Sequence, residues 1–245
     1  MTRASSIVFG LLLTGMAGTS MGQELYRVSA EEAFDAYASQ TDPNTQEASR
    51  VLIVDVRTRA EYFWVGTPAE VESIVLRCGY EYVPDDGKVV LQKNGRVVFR
   101  VNNRKKKLSV ASIASMDVVP IAVSVPYKLW QEEDATMVTN EEFFEDIADL
   151  ADDMQDTVLI LMCRSGKRSE AAPADPDFPH SLFKAVYEID VADDNAKGGF
   201  EGSDYDKMYA GYRGYPGRPQ CFQNTPSVSW VDSGLPIIIG AVPEL

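Results

Sequence analysis

An α/β fold with a central parallel sheet is what this sequence predicts, and three observations predict it. Residues 158–162 and 51–56 are short apolar runs with almost no polar alternation, as in strands covered on both faces of a sheet. Amphipathic segments at 29–37 and 139–154 stand before them with helix-start chemistry. The 158–162 run stops at Cys163 and enters a polar, glycine-containing loop that leads into a helix start, the place where open α/β sheets hold their ligands.

Each element follows from local chemistry. Ser29 with Glu32 three residues on is a capping box, and Ala33, Phe34 and Tyr37 fall at helical spacing behind it. Residues 40–50, with Pro43 and Asn44, read as a loop into the 51–56 strand. In 79–108 the runs 88–92 and 96–101 flank Lys93-Asn94-Gly95, and Pro84-Asp85-Asp86-Gly87 is a further turn, so an inserted β-hairpin or meander is expected there. It ends in Arg104, Lys105, Lys106 and Lys107, either a solvated edge that discourages strand pairing or a surface for an acidic partner. Asn140 is the expected cap of the 139–154 helix, with Phe143, Phe144, Ile147 and Leu150 facing the sheet. After the loop, Pro173, Pro176 and Pro179 keep the next helix short.

Charge and leader bound the function. A net charge of −14 lacks the basic footprint that displaces counterions, so no nucleic-acid partner is expected. Residues 2–22 carry one charge, Arg3, an apolar core over 7–17 and small residues up to Gly22, which predicts a signal peptide over 1–22 cut before Gln23. That core is shorter than the ~20 residues of a spanning helix, so no stable membrane insertion is expected after cleavage; an uncleaved anchor is the alternative. The remainder, 23–245, is then a single periplasmic or secreted domain. In an oxidising compartment Cys78 and Cys221 are candidates for one bridge, or else two ordinary buried cysteines.

Cys163 is the candidate nucleophile. A tight turn into a helix aims backbone N–H groups inward, and the helix amino end adds partial positive charge, an environment that favours a thiolate. Arg164, Lys167 and Arg168 supply cations in an otherwise acidic chain. The plainer alternative is a buried cysteine before a solvated basic turn. His180 is the sole histidine and reads as a loop residue, which disfavours a Cys–His hydrolase; with one histidine and three dispersed cysteines neither a metal site nor a cofactor is expected.

The loop Cys-Arg-Ser-Gly-Lys-Arg-Ser, 163–169, resembles the active-site loop of the rhodanese superfamily, with four residues between Cys163 and the closing Arg168. Two other segments are similar to family boxes: 51–66, a strand ending Asp55-Val56-Arg57 and a short helix with Glu61 and Tyr62, and 186–203, a closing strand and a turn at Gly198, Gly199 and Phe200. Residues 118–130 resemble the family strand that enters the next helix, and 229–237 the end of the domain, where a helix turns at Gly234. The resemblance implies a rhodanese-like three-layer fold with the β insertion at 79–108. It also implies a thiosulfate sulfurtransferase in which Cys163 carries a persulfide. Arg164, Ser165, Gly166, Lys167, Arg168 and Ser169 would bind the small anionic sulfur donor, with Arg164 and Lys167 on its sulfonate and Arg168 bracing the loop. Asp55 and Arg57 would be structural, and the acceptor a thiol, a protein thiol or cyanide. A persulfide carrier or protein-docking module without turnover is the alternative. Phosphatase or arsenate chemistry conflicts with the loop length, since the related longer loop would place arginine where Ser169 stands. Tyr209, Tyr212 and Tyr215 either floor a cleft or fill core and surface. All of this requires a Cys163 sulfur that solvent and a guest anion can reach.

Overall fold

A computed structural model describes residues 25–92, 94–131, 135–151, 156–163, 167–189, 219–221, 230, 233–238 and 241. The expected signal peptide, Gly198 to Phe200 and the three tyrosines of 209–215 lie outside the described residues. The chain runs β1 (Tyr26–Val28), α1 (Ala30–Ser39), β2 (Arg50–Asp55), α2 (Arg59–Val65), β3 (Thr67–Leu76), β4 (Glu81–Tyr82), β5 (Val90–Gln92), β6 (Arg96–Val101), β7 (Arg104–Ser109) and β8 (Ile113–Pro120). It continues with β9 (Ala122–Ser124), β10 (Lys128–Gln131), β11 (Thr136–Thr139), α3 (Phe143–Asp149), β12 (Thr157–Met162), α4 (Lys167–Ala174), β13 (Ala185–Ile189), β14 (Pro219–Cys221) and β15 (Pro236–Ile238).

The fold is mixed α/β around a five-stranded, wholly parallel sheet in the order β1-β13-β12-β2-β9. β12 is central and all six of its residues are buried, so its unbroken apolar run is what a strand covered on both faces needs. One face packs on α1 through Ala33 and Phe34, with Trp230, Leu235 and Ile237 closing the same cluster. The other face packs on α3 through Phe143 and Ile147 and on α4 through Ala172. The capping box of α1 forms as expected: Glu32 N–H donates to Ser29 Oγ at 3.2 Å, and Ser29 N–H donates to Glu32 Oε2 at 2.7 Å.

The β insertion is larger than the 79–108 segment expected from sequence. The strands β3 and β8 form a long antiparallel pair, so everything from 67 to 120 stands between α2 and β9, and β14 and β15 extend the same sheet. A register shift between Val71 and Ser73 hides β3, because the irregularity breaks the period of two that marks a strand. The meander β5-β6-β7 packs on this sheet through Val97 and Phe99. Gly95, at φ +70°, turns β5 into β6 as its Asn-Gly pair predicts. Asn102 and Asn103, at φ 51° and 59°, make the tighter β6–β7 turn, and the Asp85 carboxylate accepts both of their N–H groups at 2.7 Å. The basic run becomes β7, an edge strand of the meander, consistent with a solvated edge.

Two further expectations change. Only Ala122–Ser124 of the 118–130 segment joins the parallel sheet, and an exposed hairpin, β10–β11, intervenes before α3. The α3 helix begins at Phe143, later than expected; Asn140 is buried in the preceding turn, where its Oδ1 accepts the Glu142 N–H at 3.2 Å and its side-chain amide donates to the Pro126 carbonyl at 3.0 Å. Gly234 does adopt a turn, at φ +72°, but it leads into β15.

Candidate functional site

The site is built at the carboxyl edge of the parallel sheet, where the strand order reverses. From β2 the chain proceeds to β9 on one side, and from β12 through α4 to β13 on the other. The adjacent ends of β2 and β12, in register at Asp55 and Met162, therefore flank the topological switch point at which such sheets bind ligands. Cys163 is the first residue beyond β12.

Its sulfur accepts two hydrogen bonds from the start of α4: the Arg168 backbone N–H at 3.3 Å and the Ser169 hydroxyl at 3.6 Å, Ser169 being fully buried. Lys167 opens the helix with an exposed side chain. Arg164, Ser165 and Gly166 lie outside the described residues. Cys163 itself is 1 % exposed and packs with Leu161, Ala172 and Phe178. This corrects the expectation of an open thiol: the sulfur is covered.

Arg168 is held from α2. Its guanidinium donates two parallel hydrogen bonds to Glu61, both 2.7 Å, which tie the start of α4 to α2. Burial raises the Glu61 carboxyl, but the bonds and charge of Arg168, with help from Thr58, outweigh it and hold the group down at about 2. Burial lowers Arg168 in turn, and the bonds and charge of Glu61, then the charges of Cys163 and Asp55, more than restore it, so it is raised overall. The role of Glu61 was not read from sequence, although Thr58-x-x-Glu61 is a capping box and marks where the acid would be fixed: Glu61 N–H donates to Thr58 Oγ1 at 3.2 Å.

Asp55 and Arg57 are fully buried and paired. Arg57 Nε donates to Asp55 Oδ1 at 2.8 Å, and a second guanidinium nitrogen donates to the Gly66 carbonyl at 2.6 Å. The pair ties the end of β2 to the end of α2, the helix that holds Arg168; its geometry is that of scaffold. Tyr62 adds a hydrogen bond from its hydroxyl to the Ala122 carbonyl at 2.9 Å. His180 stays out of the site, with Nε2 2.8 Å from the Pro173 carbonyl. Cys78 is exposed and free, so the Cys78–Cys221 bridge considered from sequence is not formed.

Among the described residues the arrangement brings together one thiol, two donors aimed at its sulfur and a braced cation, with the Lys167 side chain exposed at the start of α4. Comparison with family models, curated proteins and solved structures finds no match to this chain.

Proposed function

We propose that this chain is an exported, rhodanese-like sulfurtransferase that moves sulfane sulfur from thiosulfate or a similar donor to a thiol or cyanide through a persulfide on Cys163. The observation that carries the reading is the pair of hydrogen bonds into Cys163 Sγ from the first residues of α4, at the switch point of the sheet. They supply fixed stabilisation of a sulfur anion without a proton shuttle. The Cys-x4-Arg spacing and the Glu61-braced Arg168 support the same reading, as does the parallel sheet with helices on both faces.

The chemistry balances in two steps. The Cys163 thiolate attacks the outer sulfur of thiosulfate, a sulfur–sulfur bond forms, and the donor's own bond breaks with its electron pair leaving on sulfite. Cyanide then attacks the outer sulfur of the persulfide, thiocyanate forms, and the pair returns to Cys163. Arg164 and Lys167 are assigned to the sulfonate, the N–H groups of the loop to the migrating sulfur. Cys163 is 1 % exposed, against the open thiol that the sequence reading requires, so the reading stands or falls on whether thiosulfate loads Cys163 at all.

Thiosulfate with cyanide tests this. The purified chain is expected to release thiocyanate catalytically, and Cys163→Ala to reduce the rate to background. Stable loading of one sulfur on Cys163 without thiocyanate release would replace the enzyme by the carrier reading. No loading at all would refute both.

A further inference from the structure

Beside the candidate thiol stands the β10–β11 hairpin, a feature the proposed chemistry does not use. Among the described residues it pairs with no other strand, and it exposes large apolar side chains on both of its faces. Trp130 and Met137 face each other across one side, 57 % and 39 % exposed; Leu129 and Val138 do so across the other, 41 % and 38 % exposed. An isolated two-stranded ribbon is marginal in water, and clustered exposed apolar side chains mark an interaction surface.

Its placement relates it to Cys163. The Val56 N–H donates to the Met162 carbonyl at 2.9 Å, the Tyr127 N–H to the Val56 carbonyl at 3.2 Å, and the Asn140 N–H to the Tyr127 carbonyl at 2.9 Å. Met162, Val56 and Tyr127 thus sit side by side across the carboxyl edge, and the base of the hairpin lies about two strand spacings, roughly 10 Å, from the residue before the thiol. The chain leaves this edge as β10 and returns to it as β11, so the hairpin is rooted at the carboxyl edge on which Cys163 lies.

Size and charge select the occupant. Each face presents two of these side chains, roughly 100–250 Å² of apolar surface, far short of the about 800 Å² per partner of a stable interface, which suits a transient contact and not a permanent dimer. Glu141, Glu142 and Glu145 follow β11 with exposed side chains on a chain of net charge −14, which repels a second copy and an anionic lipid surface and attracts a basic protein. We infer that the β10–β11 hairpin docks the sulfur acceptor, a protein whose cysteine lies among apolar and basic residues. This rests on the sulfurtransferase reading. In the transfer the acceptor thiolate attacks the outer sulfur of the Cys163 persulfide, a new sulfur–sulfur bond forms, and the electron pair of the broken bond returns to Sγ.

The test uses the full chain and three probes: a synthetic peptide with one cysteine among leucines and lysines, the same peptide with glutamate for lysine, and dithiothreitol. Trp130→Ser/Met137→Ser changes side chains that are 57 % and 39 % exposed, and a circular dichroism spectrum and melting curve matching wild type establish that the variant is folded before transfer is measured. The loaded wild type is expected to pass sulfur to the lysine peptide at least tenfold faster than to the glutamate peptide. The double variant is expected to lose that preference while discharging to dithiothreitol at the wild-type rate. An unchanged preference in the variant, or none in the wild type, overturns the inference. A serine-for-cysteine lysine peptide, followed by fluorescence anisotropy, separates docking from chemistry. If it binds the wild type and not the variant while Cys163 never loads, docking holds and the sulfurtransferase reading falls; if Cys163 loads and the peptide binds neither, the reverse follows. Loss in the variant of binding to phosphatidylcholine vesicles, or of self-association, without any peptide preference, would overturn the inference in favour of those partners.

Discussion

Asp55→Ala is expected to destabilise the protein by about 3–5 kcal/mol, a large part of the 5–15 kcal/mol that a domain of this size holds. Removing the carboxylate leaves the Arg57 guanidinium fully buried without the anion that Nε and its neighbouring nitrogen now face. A buried charge stripped of its partner carries its whole desolvation cost. The pair also joins β2 to Gly66 at the end of α2, so its loss loosens the helix that holds Arg168. The double variant Asp55→Ala/Arg57→Met removes the orphaned charge and should recover part of the loss, a non-additivity that urea unfolding of the two singles and the double would read directly. A single Asp55→Ala variant within about 1 kcal/mol of wild type would show that the pair is not the scaffold of this edge.

Glu61→Gln is the second large expected effect, and it has a pH signature. The side chains of Glu61 and Arg168 are 23 % and 20 % exposed, enough cover for the pair to matter but not full burial. Glu61 is depressed from its ordinary value of 4.5 to about 2, so the folded state favours its ionised form. That contribution is fully present above about pH 4.5 and is lost as pH falls through about 2. Allowing for solvent screening, it is worth about 2 kcal/mol at neutral pH. Melting curves should therefore separate wild type from Glu61→Gln at pH 7 and bring them together as pH falls from 4.5 towards 2. Because Arg168 carries the backbone N–H that meets Cys163 Sγ, the same variant should load sulfur at least tenfold more slowly. Curves that stay parallel down to pH 2 would remove the ion pair as the brace.

Much of the parallel core was legible because its signals are local. The unbroken run in β12, the Ser29–Glu32 capping box and the prolines from Pro173 onwards that keep α4 to 8 residues each declare themselves within a few residues. What was hidden depends on distant partners or broken periods. The register shift in β3 masks the start of the second sheet, and β15 is a strand because it pairs with β3. Asn140 accepts the Glu142 N–H just ahead of α3, as its local sequence suggests, but its amide also meets the Pro126 carbonyl, a contact made only when the chain folds back. In the site, Cys163, Arg168 and Ser169 could be read as one loop from their spacing. That Glu61 supplies the grip on Arg168 follows from tertiary structure, because 107 positions separate them. The burial of the thiol is likewise a property of packing against Ala172 and Phe178, beyond what a loop sequence specifies.

The most direct measurement is the mass of the Cys163 peptide after the full chain has been incubated with thiosulfate and digested without reductant. A sulfur centre cradled by α4 should gain the mass of one sulfur atom at Cys163, lose it on adding cyanide, and leave the exposed Cys78 unchanged. A Cys163 that stays unloaded, and unreactive to iodoacetamide while Cys78 is alkylated, would mark it as a core residue and contradict the account.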